Sequence, residues 1–220
     1  TKKTKCIIAM DYGSNLCDHK YLKEISCKYD IPIIHDAAHS FASKYENSFI
    51  GNQHQFTIFS FDPVKCITCI DGGAIILDKK KYENKAQAMR LIGMTQSAKL
   101  MYTNNRAWTY DVKDIGFRYH LSNIHAAIGI EQLKKIGFIK KTRQDSFKRY
   151  NSSLKNIDWL HLPSQNFKDN CPFIYTIRIL NGRRNELRAF LADLSIDTGI
   201  HWQPGHKFQY FKNIKIIIFK

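Results

Sequence analysis

No run of apolar residues in this chain is long enough to cross a bilayer, and its opening TKKTKCIIAMDYG lacks the charged, apolar and small-residue succession of a secretory signal. These absences set aside a helical membrane protein and make the cytoplasm the default compartment. A disulfide framework is missing as well. Cys6, Cys17, Cys27, Cys66, Cys69 and Cys171 follow no scaffold spacing, and several lie in apolar surroundings where a free thiol behaves as a small hydrophobe, so we read them as reduced. Internal repeats and low-complexity tracts are absent. Acidic residues are few beside basic ones, 19 against 34, which leaves a formal charge of +15. Such a surplus steers anions toward a protein, whether nucleic acid or a phosphorylated small molecule. The basic clusters (Lys79 to Lys81, Lys134-Lys135, Lys140-Lys141, Arg183-Arg184) are scattered rather than striped, and each is equally well a solvated face. With no recognised binding motif beside them, a nucleic-acid partner is not expected, and a basic nucleic-acid-binding domain stands only as an alternative.

What is present is enough apolar sequence, 44% of 220 residues, to build a real core. Cys6 to Met10 reads as a strand, Asp11-Tyr12-Gly13-Ser14 as a turn, Asp18 as the N-cap of a helix through Tyr29, and Ile31 to His35 as a second strand. Strand, helix and strand form a βαβ unit, which predicts a parallel sheet with functional groups at the carboxyl ends of its strands. Asp36 falls at that edge. Its spacing leaves two readings open, a buried anion facing a cationic partner or a cap for the next turn. A metal site on His35, Asp36 and His39 is disfavoured because no further ligand follows at a recognisable spacing, and Cys66 and Cys69 have no second pair to complete a zinc site.

The chain is organised around Phe56 to Ala74. An apolar β-rich run stops at Pro63, presents Lys65, and returns through Ile67 and Ile70 to Asp71-Gly72-Gly73. A lysine on a turn between two apolar strands is poorly solvated, which should lower its pKa toward the nucleophilic range that Schiff-base chemistry requires. Downstream come a strand (Ala74 to Leu77), a helix (Lys79 to Gly93), and a long irregular loop (Met94 to Val112) carrying Asn104, Asn105, Trp108 and Tyr110. Ser122 then caps a helix whose buried stripe is Ile124, Ala127, Ile128, Ile130 and Leu133, with Ala126, Ala127 and Gly129 small enough to admit a close neighbour. A charged helix runs from Thr142 to about Lys155, and a polar linker from Asp158 to Asn170. A strand (Phe173 to Leu180), a helix (Asn185 to Leu194) and a strand (Thr198 to Trp202) begin a smaller domain. The chain opens on a strand after four polar residues and closes on the apolar run Ile214 to Phe219, so it reads as a fragment of a longer protein.

The runs IPIIHDAAHSFASKY, FSFDPVKCITCIDGGAIIL and DIGFRYHLSNIHAAIGIEQL, and more loosely TGIHWQPGHKF, resemble the DegT/DnrJ/EryC1/StrS family of sugar aminotransferases, in the family's order and over nearly the whole chain. The resemblance implies an α/β protein of the fold-type I, aspartate-aminotransferase-like class. Its mostly parallel sheet would lie in residues 1–144 and the start of a small α/β domain in residues 145–220. It implies pyridoxal 5'-phosphate as cofactor, with Lys65 carrying the internal aldimine and Asp36 pairing with the pyridinium nitrogen. His39 would lie on the ring-hydroxyl side and Ser60 on the phosphate. Arg118 stands where relatives place an Asn that reaches a partner subunit's cofactor phosphate, which implies a homodimer with a shared site. His201, Trp202 and His206 face the substrate or simply end a packed strand. The implied reaction transfers an amino group from glutamate or a similar donor to a keto group of a nucleotide-linked sugar. The family's amino-terminal portion has no counterpart before Thr1, so a catalytically inert homologue that serves as a binding partner is the remaining alternative.

Overall fold

The computed structural model describes residues 1–94, 111–163 and 168–211, so Asn104, Asn105, Trp108, Tyr110 and the run Ile214 to Phe219 lie outside the described residues. Two compact units are present, one formed by Thr1–Ile157 with Leu162–Ile177, the other by Asp158–His161 with Arg178–Lys220. No helix among the described residues is long and apolar enough to cross a membrane.

In the first unit four strands form one sheet, in the order β1 (Ile7–Met10), β2 (Ile33–Asp36), β5 (Phe56–Ser60) and β6 (Gly73–Leu77). β1, β2 and β5 run parallel, with Met10 opposite Asp36 and Asp36 opposite Ile58; β6 returns antiparallel, with Ser60 opposite Gly73. A small hairpin of β3 (Lys44–Tyr45) and β4 (Ser48–Phe49) turns through Glu46 and Asn47, both at positive φ, as a tight two-residue connection requires. Helix α1 (His19–Tyr29) starts where the sequence places it, because the Asp18 carboxylate accepts the Tyr21 N–H at 2.9 Å. The helix crosses between β1 and β2, completing the expected βαβ unit.

The two faces of this sheet differ. Ala9, Ile33, His35, Thr57 and Phe59 alternate onto a buried face, where Phe59 packs with Ala37 and Ile50 and meets Phe41 edge-on at 5.4 Å. The intervening residues Ile8, Ile58 and Ile75 stay 69%, 39% and 49% exposed, so the opposite face is largely uncovered among the described residues, apart from Phe56, which meets the Tyr82 ring at 5.1 Å.

Among the described residues, the remaining α-helices of this unit are α2 (Lys80–Met89), α3 (Asn123–Lys134) and α4 (Ile136–Leu154). Ser122 caps α3 by accepting the His125 N–H at 3.2 Å, as expected. The expected burial of its stripe is not met: Ile124, Ile130 and Leu133 are exposed. A 3.6-residue period reports that a face is apolar, not which body covers it. The small residues of α3 do admit a neighbour, since a Cβ on Gly129 would run into Cys69 Sγ.

The region after α4 departs furthest from the sequence reading. Within the expected linker, Leu160–His161 form β7, and of the expected strand Phe173 to Leu180 only Arg178–Ile179 pair, as β8 against β7. Residues 171–173 spend their backbone groups elsewhere: Pro172 has no N–H, and the N–H groups of Cys171 and Phe173 donate to Ser43 and Ser14 hydroxyls. The second unit also holds α5 (Arg184–Asp193), with an Arg183–Glu186 ion pair at its start. Thr198 to Trp202 is not a strand; no described segment pairs with it.

Gly129→Val forces a side chain into the buried Cys69 thiol and is expected to cost about 1–3 kcal/mol of stability, the usual penalty of overpacking. Urea denaturation monitored by circular dichroism measures it, and an unchanged midpoint would contradict the close approach.

Candidate active site

Asp36 ends β2 on the uncovered face, half-buried, and one carboxylate oxygen accepts the Ala38 N–H at 3.0 Å. The capping reading is therefore correct as far as that oxygen goes. In the parallel register Asp36 and Ile58 share a face, and Ser60, two residues on, shares it too. Ser60 Oγ accepts only a long 3.4 Å contact from the Asp62 N–H.

From Ser60 the chain enters the turn that carries Lys65. The Asp62 side chain accepts the Val64 N–H at 3.1 Å and the Asp62 carbonyl accepts the Lys65 N–H at 3.0 Å, the turn that an Asp-Pro pair favours. Cys66 and Ile67 bury themselves directly after it, and the Cys69 N–H returns to the Phe61 carbonyl at 2.9 Å. Lys65 thus leaves a loop anchored on both sides. Its Nζ rests 4.7 Å from the centroid of the Phe173 ring.

Phe173 is the residue that sequence reasoning missed, having placed it in a strand. Its ring also meets His39, with centroids 4.3 Å apart and planes tilted by 35°. His39 is 2% exposed, and its Nδ1 accepts the Gly13 N–H at 3.2 Å, which puts the proton of the neutral ring on Nε2. Lys65, Phe173 and His39 are therefore contiguous. Ser14 fixes this stack: its Oγ donates to the His39 carbonyl at 2.6 Å, accepts the Phe173 N–H at 2.9 Å and lies 3.0 Å from the Cys171 carbonyl. From α4, Arg143 donates to the Phe173 carbonyl at 2.9 Å and Lys140 to the Asp169 carbonyl at 2.8 Å. Burial holds the Lys140 ammonium below its ordinary pKa. Beneath the turn, the hydrogen bond with Cys66, together with burial, pushes the Cys171 thiol far up, so it stays protonated.

Arg118 is exposed. Its segment is pinned to the residues after α2, with the Phe117 N–H on the Met89 carbonyl at 2.6 Å and the Tyr119 N–H on the Arg90 carbonyl at 2.9 Å. Gly116 permits this approach, since a Cβ there would strike the backbone of residues 89–93. His201, Trp202 and His206 belong to the second unit and are exposed. The disfavoured grouping of His35, Asp36 and His39 does not form: adjacent residues of β2 leave on opposite faces, and His35 turns instead toward Asp11 and His19.

The sequence profile of the DegT/DnrJ/EryC1/StrS aminotransferase family matches residues 1–216. This chain belongs to that family. Among its relatives, the uncharacterised protein MJ1066 of Methanocaldococcus jannaschii is 30% identical over 217 residues, which cover 96% of this chain and 56% of that protein. The UDP-4-amino-4,6-dideoxy-N-acetyl-beta-L-altrosamine transaminase of Campylobacter jejuni is 28% identical over 212 residues, 94% of this chain and 54% of that protein. The fold matches Helicobacter pylori PseC, an aminotransferase of pseudoaminic acid biosynthesis, with a TM-score of 0.88 at 22% identity over 97% of this chain and 57% of that one. It also matches the PMP form of the putative sugar aminotransferase Spr1654 of Streptococcus pneumoniae, with a TM-score of 0.87 at 25% identity over 98% and 60%. The fold-type I class expected from the sequence is the one found. This family member spans about half the length of the curated relatives it matches.

Ser14→Ala removes one hydroxyl and leaves the buried Phe173 N–H and His39 carbonyl without it. We expect a loss of about 1–3 kcal/mol in stability. Thermal unfolding reads this out, and a loss below that range would remove Ser14 as the fastener of the stack.

Proposed function

We propose that this chain carries the cofactor-binding machinery of a cytoplasmic, homodimeric pyridoxal-phosphate aminotransferase. The reaction moves an amino group from glutamate or a similar donor to a keto group on a nucleotide-linked sugar. The observation that carries the reading is the placement of Lys65 on an anchored turn that begins at Ser60, on the sheet face that also carries Asp36. The donor set fits the cofactor: a primary amine for its aldehyde, a carboxylate for its ring nitrogen, and a hydroxyl for its phosphate. When bound, pyridoxal phosphate supplies an aldehyde that captures amines and a ring that accepts the electrons released as a substrate α-proton leaves.

The protein's part follows from its own groups. Lys65 Nζ would hold the cofactor through its aldehyde and, as a free amine, would take up the substrate α-proton and return it. The turn hydrogen bonds fix the backbone from which this amine swings, and Phe173 gives its charged form a resting place. The Asp36 carboxylate, steadied by the Ala38 N–H, holds a proton on the ring nitrogen. His39 Nε2 carries a proton that suits the ring hydroxyl, and Ser60 Oγ has hydrogen-bonding capacity to offer a phosphate. Arg118, exposed on a pinned segment, suits a phosphate held by a second subunit, because its planar fork matches phosphate oxygens. His201, Trp202 and His206 are assigned to the sugar substrate. The roles of the first-unit residues rest on family membership together with the geometry of that unit, and those of His201, Trp202 and His206 on the family resemblance alone.

The test is to incubate the chain with pyridoxal phosphate, reduce with borohydride and map the modified peptide. The cofactor is expected on Lys65, and Lys65→Ala should abolish both the label and the visible absorbance of the bound cofactor. Ser60→Ala should weaken binding by roughly 10- to 100-fold, the worth of a hydrogen bond to a charged group. Label on other lysines alone, or absorbance that survives Lys65→Ala, would sink the assignment.

A further inference from the structure

Behind the candidate active site, on the buried face of the sheet, a second group of side chains has no part in the proposed chemistry. Asp11 follows β1, His19 opens α1, His35 lies in β2 and His54 precedes β5. Asp11, His19 and His35 are 0%, 2% and 0% exposed, and one ligand atom from each lies within 4.8 Å of the others. His35 Nε2 is 2.7 Å from Asp11 Oδ2 and His19 Nε2 is 3.3 Å from Asp11 Oδ1. The Ser40 hydroxyl and the Cys17 N–H donate to the same carboxylate at 2.7 and 2.9 Å.

Hydrogen bonding alone leaves this cluster unfinished. His19 Nε2 is buried and, although close to the carboxylate, lacks hydrogen-bond geometry to it or to any other group. On its far side His19 Nδ1 is 3.0 Å from His54 Nε2. With the proton on Nδ1, donated to His54, the inner nitrogen is a bare lone pair aimed at a carboxylate, an arrangement that repels unless a cation stands between them. A buried carboxylate ringed by imidazoles also needs a positive charge nearby.

We propose that Asp11, His19 and His35 form a structural site for a divalent transition metal, zinc being the best match. Two imidazole nitrogens and one carboxylate oxygen suit zinc and disfavour magnesium or calcium, which take oxygen ligands. Zinc–ligand bonds of about 2.0–2.1 Å put tetrahedral neighbours roughly 3.3 Å apart. Asp11 Oδ1 and His19 Nε2 already stand at that separation, His35 Nε2 lies 2.7 Å from the other carboxylate oxygen, and one ligand atom of each of the three residues lies within 4.8 Å of the others, close enough to gather around one ion with small side-chain shifts. The outer shell is in place: His54 Nε2 stands 3.0 Å from the far nitrogen of His19, where it would accept that ring's proton, and Ser40 and Cys17 orient the carboxylate. The outer nitrogen of His35 and the Thr57 hydroxyl, neighbours in the β2–β5 register, are both buried without a partner, which makes Thr57 the acceptor available to that ring. The ion would tie the end of β1, the first turn of α1 and the end of β2 together. It would thereby brace the backbone from which Asp36 departs on the other face.

Chelator-stripped chain is titrated with Zn(II) by calorimetry, and X-ray absorption of the zinc-loaded protein reads the ligands. One ion per chain, coordinated by two imidazole nitrogens and a carboxylate oxygen, is expected, together with a rise in thermal midpoint. His54→Gln, which removes an outer partner and no ligand, should weaken binding by roughly 10- to 100-fold; His19→Gln and His35→Gln should each weaken it more. Binding that is not stoichiometric, or that is unaffected by His54→Gln and His19→Gln, reports exposed histidines and overturns the site. Should the ligand variants fail to fold, the absorption spectrum of the unmodified chain and the His54→Gln titration still decide.

Discussion

Successive side chains of a β-strand leave on opposite faces, and at the end of β2 that alternation separates two chemistries one residue apart. His35 turns to the buried face and joins Asp11; Asp36 turns to the uncovered face and shares it with Ser60. A register slip of one residue would exchange them, putting an imidazole where the carboxylate stands and a second carboxylate beside Asp11. The parallel ladder that fixes this register, Met10 to Asp36 to Ile58, is therefore the constraint on which the first unit's polar groups depend. The backbone continues it past the strand ends, with the Asp11 N–H on the Asp36 carbonyl at 3.2 Å and the Ala37 N–H on the Ile58 carbonyl at 2.9 Å.

A second dependence runs through Ser14. This residue belongs to the turn after β1, yet its hydroxyl holds together segments from two distant parts of the chain, His39 and residues 171–173. The contact spans 157 residues of sequence, and the backbone groups it satisfies are ones that a strand would otherwise have used. What the fold gains in exchange is the position of Phe173, whose ring touches both His39 and the amine of Lys65.

The same comparison shows why some features were legible in the sequence and others were not. Asp18 before an amphipathic helix and Ser122 before α3 are local signals, each satisfied within three residues, and both act as read; the turn read at Lys65 is also local, closed by the Asp62 side chain next to Pro63. The apolar run Phe56 to Ser60 and the βαβ order were legible because strand period and crossover handedness are properties of short segments. The strand expected from Phe173 failed because its competitors, Ser14, Ser43 and Arg143, are far away in sequence. The histidine cluster was invisible for a related reason. Positions 11, 19, 35 and 54 have no spacing in common, and only the sheet register and the first turn of α1 bring them together. The stripe on α3 was legible as a pattern and still misjudged, because burial depends on a neighbouring body that no period encodes.

The basic surplus has to be divided before it can be assigned to any anion. Lys140, which the sequence presents in a basic cluster, and Arg143, in the charged helix that follows, spend their donors on carbonyls of residues 42, 169, 172 and 173 and so act as internal clamps. Lys80, Lys134 and Lys141 sit in exposed pairs with acidic residues three or four positions away on their own helices, worth little in stability and largely neutral at a distance. The surplus of +15 already nets out these pairs, so the long-range field stays positive, and what the contacts change is which cations can close on an anion directly. In the function we propose, recognition of the cofactor phosphate falls to groups placed individually, the Ser60 hydroxyl at the end of β5 and the exposed Arg118 guanidinium, rather than to a basic surface. That is the arrangement expected of a site that selects one phosphorylated ligand over polyanions in general, since a hydrogen-bonding fork discriminates by geometry where a diffuse field does not.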